Sequence, residues 1–306
     1  MKKFINNVDD ILAESLNGFA AAHHDLVRLN LDPNYLVRAN KASNKVALIS
    51  GGGSGHEPLH SGFVGYGMLD AACPGHVFTS PTPDQMLAAA EAAESGKGVL
   101  FIVKNYAGDV MNFEMAGEML PFEHATVITS DDVAVVNSTW TTGRRGVAGT
   151  VIVEKVVGSL AESGADLAAC KALGDKVNSR TGSMGVALTS CTVPAAGRPT
   201  FDIGDDELEM GVGIHGEPGR RREKMREADL IVADLVAAIV EDLKPAHNAE
   251  ILLMINGFAG TPLMELYLLY NTAAKLLTKQ GLNITRSLVG NYTTSLDMAG
   301  ASVTVC

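Results

Sequence analysis

Cysteine is scarce in this sequence, and its four cysteines are far apart. They form no C-x-x-C pair, so neither a zinc knuckle nor a redox dithiol is indicated. Isolated cysteines are typical of thiols in the reducing cytoplasm, where disulfides are rare. We therefore expect a cytoplasmic protein with reduced thiols at Cys73, Cys170, Cys191 and Cys306.

Long apolar runs are also absent. The longest, at residues 230–240 and 251–255, fall well short of the ~20 residues that a membrane span needs. The N-terminal MKKFINNVDD has Asn and Asp where a signal peptide has its apolar core. We expect neither a membrane span nor a secretion signal.

Positive charge and aromatic residues are low as well. The 24 Lys and Arg are outnumbered by 35 Asp and Glu, and the formal charge of −11 argues against nucleic-acid binding, which needs clustered basic side chains. Glycine is plentiful instead, with 32 residues against 5% aromatics. This balance favours tight backbone turns around a small ligand over a flat recognition surface.

Short apolar runs alternate with helical patterns along the chain. Strands are predicted at residues 45–50, 98–104, 125–130, 184–189, 209–214, 250–256, 285–290 and 301–305. Helices are predicted at residues 83–94, 146–164, 167–177, 226–243 and 262–280. The alternation predicts an α/β fold in which helices flank mixed, largely parallel sheets.

The length of 306 residues predicts two such α/β domains. We place the boundary within residues 178–182. The N-terminal domain, residues 1–180, then carries the GGGSGH loop with Lys104 and Asp109, and the C-terminal domain, residues 181–306, carries His215.

Two familiar motifs occur in unsuitable surroundings. His56 to His60 matches the H-E-x-x-H pattern of zinc proteases, but that pattern needs a helix, and Pro58 lies in its middle behind a run of glycines. Residues 211–216 match G-x-G-x-x-G, but Glu-Pro-Gly follows where a dinucleotide-binding helix should begin. We rank zinc hydrolysis and dinucleotide binding low.

Polar side chains cluster instead at predicted strand ends. In open α/β sheets, ligands bind outside the carboxyl ends of the strands. Four glycines at positions 51, 52, 53 and 55 let the backbone approach a ligand closely. A single cleft for a small polar ligand could therefore be formed by His56, Ser80, Lys104, Asp109 and His215.

Each of these residues also has a structural interpretation. The two histidines could be core residues with satisfied hydrogen bonds. Asp109 could cap a helix, and Lys104 could be a solvated lysine at a strand end. The residue chemistry alone leaves these alternatives open.

Long motifs nevertheless resemble the dihydroxyacetone kinase family, at its substrate-binding K subunit. They are GGGSGHEP, ACPGHVFTSPTPDQ, IVKNYAGDVMNFEMA, GRRGVAGTVIVEK, MGVGIHGEPG and NYTTSLDMAG. The resemblance covers essentially the whole chain. It implies two α/β domains, a homodimer and binding of dihydroxyacetone.

The resemblance also implies site roles. His215 would attack the ketone carbon to form a hemiaminal, which excludes glycerol because glycerol has no carbonyl. His56 would accept the proton of the substrate hydroxyl, with Asp109 sharing that role. The substrate would be held by Gly53, Ser54, Gly55, His56, Ser80, Lys104 and Asp109.

Single-chain members of the family append a nucleotide-binding L domain, which the sequence given does not contain. The resemblance therefore implies a separate L subunit as phosphoryl donor, in the phosphoenolpyruvate-dependent branch. ADP and magnesium would be bound by that subunit, and this chain would have no cofactor or metal ligand of its own. Family members usually continue slightly beyond the position of Cys306.

Two alternatives remain. The chain could be a co-activator that captures the ketone through His215 without turnover, a reading that the intact His56 and Asp109 disfavour. It could also phosphorylate another small ketose, such as erythrulose.

Overall fold

The computed structural model describes residues 2–138 and 141–306, which form two compact units. The first unit comprises the described residues up to 129 together with residues 150–178. The second unit comprises the described residues of 130–149 and residues 179–306. The sequence-based division assigned residues 130–149 to the N-terminal domain, whereas the structure groups the described residues of this range with the second unit.

The first unit contains six strands and five α-helices in its described residues. The strands are β1 (Val27–Leu31), β2 (Asn34–Arg38), β3 (Ala47–Ser54), β4 (Ala71–Val77), β5 (Val99–Lys104) and β6 (His124–Thr129). The helices are α1 (Ile11–Ala22), α2 (Pro83–Ala93), α3 (Ala107–Met119), α4 (Gly149–Glu162, of which Gly149 falls to the second unit) and α5 (Leu167–Asn178). A short 3₁₀ helix covers Ser61–Phe63.

The sheet of the first unit has the strand order β1-β2-β4-β3-β5-β6. Strands β4, β3, β5 and β6 run parallel, and β1 and β2 add an antiparallel hairpin at one edge. Strands buried on both faces read as continuous apolar runs, and all six residues of β5 are buried. Because β3 and β5 are parallel neighbours, their carboxyl ends lie at the same edge of the sheet.

Helix α2 begins where the sequence predicts. The Thr82 side chain and Gln85 form a capping box, and Pro83 occupies the first helical turn, where its missing N–H is not needed. The buried face of α2 joins the same hydrophobic core as Ile49 and Phe101. Local capping and apolar spacing are sufficient to define this helix.

The second unit contains six strands and two α-helices in its described residues. The strands are β7 (Gly182–Ala187), β8 (Glu207–Met210), β9 (Arg221–Lys224), β10 (Glu250–Gly257), β11 (Asn283–Gly290) and β12 (Gly300–Val305). The helices are α6 (Ala228–Leu243) and α7 (Leu263–Lys279). Both helices contribute to one hydrophobic core with the strands.

The sheet of the second unit has the order β11-β10-β12-β7-β8-β9. Only the β10–β11 pair is parallel among the described strands of this sheet; the other four pairs are antiparallel. The expectation of two mixed sheets flanked by helices is confirmed. The largely parallel arrangement that the sequence predicts, however, occurs mainly in the sheet of the first unit.

Two local predictions in the second unit are wrong. The strand predicted at residues 209–214 ends at Met210, because Gly211 adopts a positive φ of 80° and turns the chain. The basic segment Arg221–Lys224 forms strand β9 beside β8, although the predicted elements place no strand between residues 214 and 250. Residues 211–220 thus form a loop between two antiparallel strands.

None of the helices in the described residues has the length and apolar character needed to cross a membrane.

Candidate active site

The glycine-rich segment forms the end of β3 and the turn after it. A Cβ atom at Gly53 would lie 2.6 Å from the backbone nitrogen of Thr79, so only glycine allows these segments to pack. The Ser54 hydroxyl donates to the carbonyl oxygen of Gly75 at 2.7 Å, and Gly55 turns the chain with φ of 104°. This close packing places His56 beside the segment after β4.

His56 is buried and stacks on Phe78, with 4.9 Å between the ring centroids. Phe78 has a positive φ of 55°, a strained conformation for a bulky residue that is typical of functional sites. Residues 56–60 form turns, so the helix that a zinc-protease motif needs is not present. No group of three or more His, Cys, Asp or Glu side chains in residues 2–138 and 141–306 is arranged to hold a metal ion.

Lys104 and Asp109 form a buried pair at the end of β5. The Lys104 Nζ atom lies 3.6 Å from Asp109 Oδ2 and donates to the carbonyl oxygen of Gly51 at 3.3 Å. Lys104 is only 1% exposed, which overturns the interpretation of a solvated lysine. Asp109 lies in the first turn of α3, where the helix dipole favours a carboxylate, and Tyr106 takes the N-cap position.

Asp109 has an oxygen available for a ligand. Its Oδ1 atom is buried and has no hydrogen-bond partner among the described residues. A buried acceptor without a donor is unfavourable by ~1–3 kcal/mol, so it marks a position where a ligand hydroxyl would be stabilised.

Ser80 lies against the same helix start. Its hydroxyl oxygen would be 2.8 Å from a Cβ atom placed at Gly108, the residue before Asp109. The first unit therefore brings together four of the five predicted cleft residues through direct packing of β3, β5, α3 and the segment after β4. His215 lies in the second unit, so the convergence of all five residues stays a prediction.

Sequence reasoning missed His60, a buried partner of Lys104, and Glu154, the buried partner of that histidine. The Nε2 atom of His60 lies 3.0 Å from Lys104 Nζ, and the Nδ1 atom of His60 lies 2.6 Å from Glu154 Oε1. Glu154 occupies the apolar face of α4, one helical turn from both Val151 and Val157, and all three residues are buried. A carboxylate among the apolar residues of that helix face is a signal in the sequence that could have identified Glu154.

In the second unit, His215 is held by Glu217. The Nδ1 atom of His215 lies 2.9 Å from Glu217 Oε1, and the backbone N–H of His215 donates to Glu217 Oε2 at 2.9 Å. Burial raises the pKa of Glu217, but the charge and hydrogen bond of His215 and the charge of Arg145 outweigh it and lower that pKa to about 2. Glu217 is therefore a carboxylate, and its bond with Nδ1 places the lone pair of a neutral imidazole on Nε2.

Arg145 supports the loop that carries this histidine. Its guanidinium is fully buried and donates to Asp132 Oδ2 at 2.8 Å and to the carbonyl oxygen of Gly211 at 2.8 Å. A Cβ atom at Gly213 would lie 2.1 Å from Glu217 Oε2, so glycine leaves the space that the carboxylate fills. Gly213 thus serves the packing around Glu217.

Comparison with known proteins gives a consistent result. The model of the Dak1 domain matches residues 17–306. The chain is 48% identical over 308 residues to the dihydroxyacetone-binding subunit DhaK of the PTS-dependent dihydroxyacetone kinase 1 of Listeria innocua, covering 100% of this chain and 94% of that protein.

Two solved structures are similar in fold. The dihydroxyacetone kinase operon co-activator Dha-DhaQ has a TM-score of 0.90 at 35% identity, with 96% of this chain and 91% of that chain covered. The dihydroxyacetone kinase of C. freundii has a TM-score of 0.88 at 34% identity. That match covers 99% of this chain and 56% of the kinase chain.

Proposed function

Because this chain belongs to the Dak1 domain family, we propose that it is the dihydroxyacetone-binding subunit of a dihydroxyacetone kinase. The observation that carries the proposal is the His215–Glu217 pair, in which a half-buried imidazole has its Nδ1 atom held by a buried carboxylate. This is the arrangement that orients a histidine for chemistry at Nε2.

Capture of the ketone follows from that orientation. The Nε2 lone pair of His215 attacks the ketone carbon, a C–N bond forms, and the carbonyl π electrons move to oxygen. The oxygen gains a proton as the imidazole loses the one on Nδ1, which Glu217 accepts and relays. The product is a neutral hemiaminal, and a polyol without a carbonyl cannot form it.

The first unit contains side chains of the kinds that phosphoryl transfer to a ketose hydroxyl needs. His56 accepts the proton of the reacting hydroxyl, and the unpaired Oδ1 atom of Asp109 accepts a second substrate hydrogen bond. The Lys104 ammonium stabilises the negative charge that develops on the hydroxyl oxygen. Gly53, Ser54, Gly55 and Ser80 line the ligand.

The phosphoryl group comes from a partner in this proposal. This chain covers 94% of the Listeria innocua protein that is named a dihydroxyacetone-binding subunit of a PTS-dependent kinase, which supports a phosphoryl donor on a separate subunit. We propose an L subunit that holds ADP and magnesium and is recharged from phosphoenolpyruvate, and a homodimer of this chain in the cytoplasm.

Covalent capture can be measured directly. Protein carrying ¹⁵N-labelled histidine is mixed with dihydroxyacetone labelled with ¹³C at the ketone carbon. We expect a tetrahedral carbon signal with one-bond coupling to ¹⁵N, which the gem-diol hydrate of the free ketone cannot give. Free ketone and hydrate alone at saturating protein would contradict the hemiaminal.

The second candidate function is that of a co-activator, which the similarity in fold to Dha-DhaQ favours. A turnover assay distinguishes the kinase from this candidate. We expect dihydroxyacetone phosphate only when the L subunit and its phosphoenolpyruvate-dependent recharging proteins are added. Capture without turnover under those conditions would favour the co-activator. Turnover with ATP and this chain alone would contradict the separate donor.

The Gly52→Ala substitution tests the role of Lys104. The added Cβ atom would lie 2.2 Å from Lys104 Nζ, so the ammonium must shift from its present position beside Asp109. We expect kcat/KM to fall by roughly 10- to 100-fold, because small misplacements of a positioning group have effects of that size. The control is Gly65→Ala, where nothing lies within 4 Å of the added atom. Equal activity of the two variants would exclude the role.

A further inference from the structure

A line of three buried titratable side chains ends beside Asp109. It runs from Glu154 on α4 through His60, in the turn after β3, to Lys104 at the end of β5. Glu154 and Lys104 are at most 1% exposed, and His60 is 6% exposed. The chemistry proposed above uses Lys104 but gives no role to His60 or Glu154.

The donors and acceptors of this line fix its direction. A lysine ammonium has only donors, so His60 Nε2 accepts the hydrogen bond from Lys104 at 3.0 Å. The single proton of a neutral imidazole must then lie on Nδ1, from which it is donated to Glu154 Oε1 at 2.6 Å. Burial and the charge of Lys104 lower the pKa of His60 well below its usual range, which keeps the ring neutral.

Glu154 is the end of the line. Its Oε2 atom is buried and reaches no hydrogen-bond partner in the described ranges, and the nearby Ser50 hydroxyl donates to the carbonyl oxygen of Ile102. Burial raises the pKa of Glu154 to about 8, against the opposing effects of Lys104 and Ser50. Near neutral pH, Glu154 is therefore mainly a carboxylic acid that accepts a hydrogen bond through Oε1.

We propose that His60 and Glu154 are positioning residues that hold the Lys104 ammonium beside Asp109 through this fixed order of hydrogen bonds. The proposal rests on the function proposed above for its effect on turnover, but the hydrogen-bond order can be measured without turnover. Without His60 as acceptor, the Lys104 ammonium loses one of the contacts that hold it in position.

The charge on Glu154 gives a pH-dependent readout. The titratable groups that face it are His60 and Lys104, with Asp109 beyond the lysine and His56 beyond the imidazole. Deprotonation of Glu154 adds a buried negative charge that opposes stabilisation of the developing alkoxide by Lys104. This effect is absent when the side chain is glutamine, which keeps an acceptor for His60.

The first experiment records ¹⁵N spectra of histidine-labelled protein from pH 6 to 9, with the His60 signals assigned through the His60→Gln variant. We expect a neutral His60 with the proton on Nδ1 and a shift change near pH 8 that is lost in Glu154→Gln. A proton on Nε2, or the same titration in both proteins, would overturn the proposal whether or not the protein is a kinase.

The second experiment compares kcat/KM of Glu154→Gln with that of the wild type across the same pH range. Other ionisations cancel in this ratio, which we expect to rise by roughly tenfold between pH 7 and pH 9. Glu91→Gln, at an exposed position on α2, is the matched control with a constant ratio. If neither protein turns over while the His60 spectra behave as expected, the proposed function fails and the positioning network stands.

Discussion

The His215→Ala variant is expected to form no covalent adduct with dihydroxyacetone and to lose kcat/KM by at least about 10³-fold. The imidazole is the proposed nucleophile, and alanine offers no lone pair at that position. Glu217 would be left as a buried carboxylate without its histidine, so thermal unfolding of the variant must be compared with that of the wild type. The ¹³C–¹⁵N coupling experiment measures the adduct, and coupled turnover measures the rate.

The matched control for this prediction is His247→Ala, at an exposed position in the same unit. It changes the same residue type without touching the loop at residues 211–219. If the His215→Ala protein is folded and still gives the tetrahedral carbon signal coupled to ¹⁵N, the assignment of His215 as the nucleophile is wrong. A variant that loses the adduct but keeps full turnover would show that capture is not on the reaction path.

The His56→Asn variant separates proton transfer from capture. Asparagine keeps a polar side chain but cannot accept a proton from the substrate hydroxyl. We expect kcat to fall by about 10²- to 10⁴-fold, the usual contribution of a general base, while the hemiaminal signal on His215 persists. Single-turnover phosphorylation by the L subunit gives the rate of the chemical step.

His76→Asn provides the comparison for that substitution. His76 lies on β4 with an exposed side chain, so its replacement is expected to leave the rate within the error of the assay. The assignment of His56 fails if both variants transfer phosphate at the wild-type rate. It also fails if His56→Asn abolishes capture, because the residue would then serve ligand binding or the packing on Phe78.

Local sequence patterns were good guides to single elements. Thr82, Pro83 and Gln85 specify the start of α2, because capping and proline chemistry act within one helical turn. The strand predicted at 209–214 failed at Gly211, where a left-handed backbone conformation competes with apolar periodicity. The hairpin of β1 and β2 was missed because its apolar signal is short and interrupted.

Burial and pairing of charges were not readable from the sequence. Lys104 has the same sequence pattern whether it is solvated or enclosed, and only its contacts with Gly51, His60 and Asp109 distinguish the two. His60 belongs to the H-E-x-x-H match, and nothing in that pattern indicates a contact with Lys104.

The sequence by itself determined the α/β pattern, the family and the identity of the candidate residues, since apolar periodicity, turn chemistry and long motifs are properties of contiguous segments. Only the tertiary structure decided which of those side chains are buried and which partners they have. Glu154 meets His60 across 94 positions and His60 meets Lys104 across 44. Such contacts depend on how separate elements pack around the sheet, and that packing sets the protonation of each buried group.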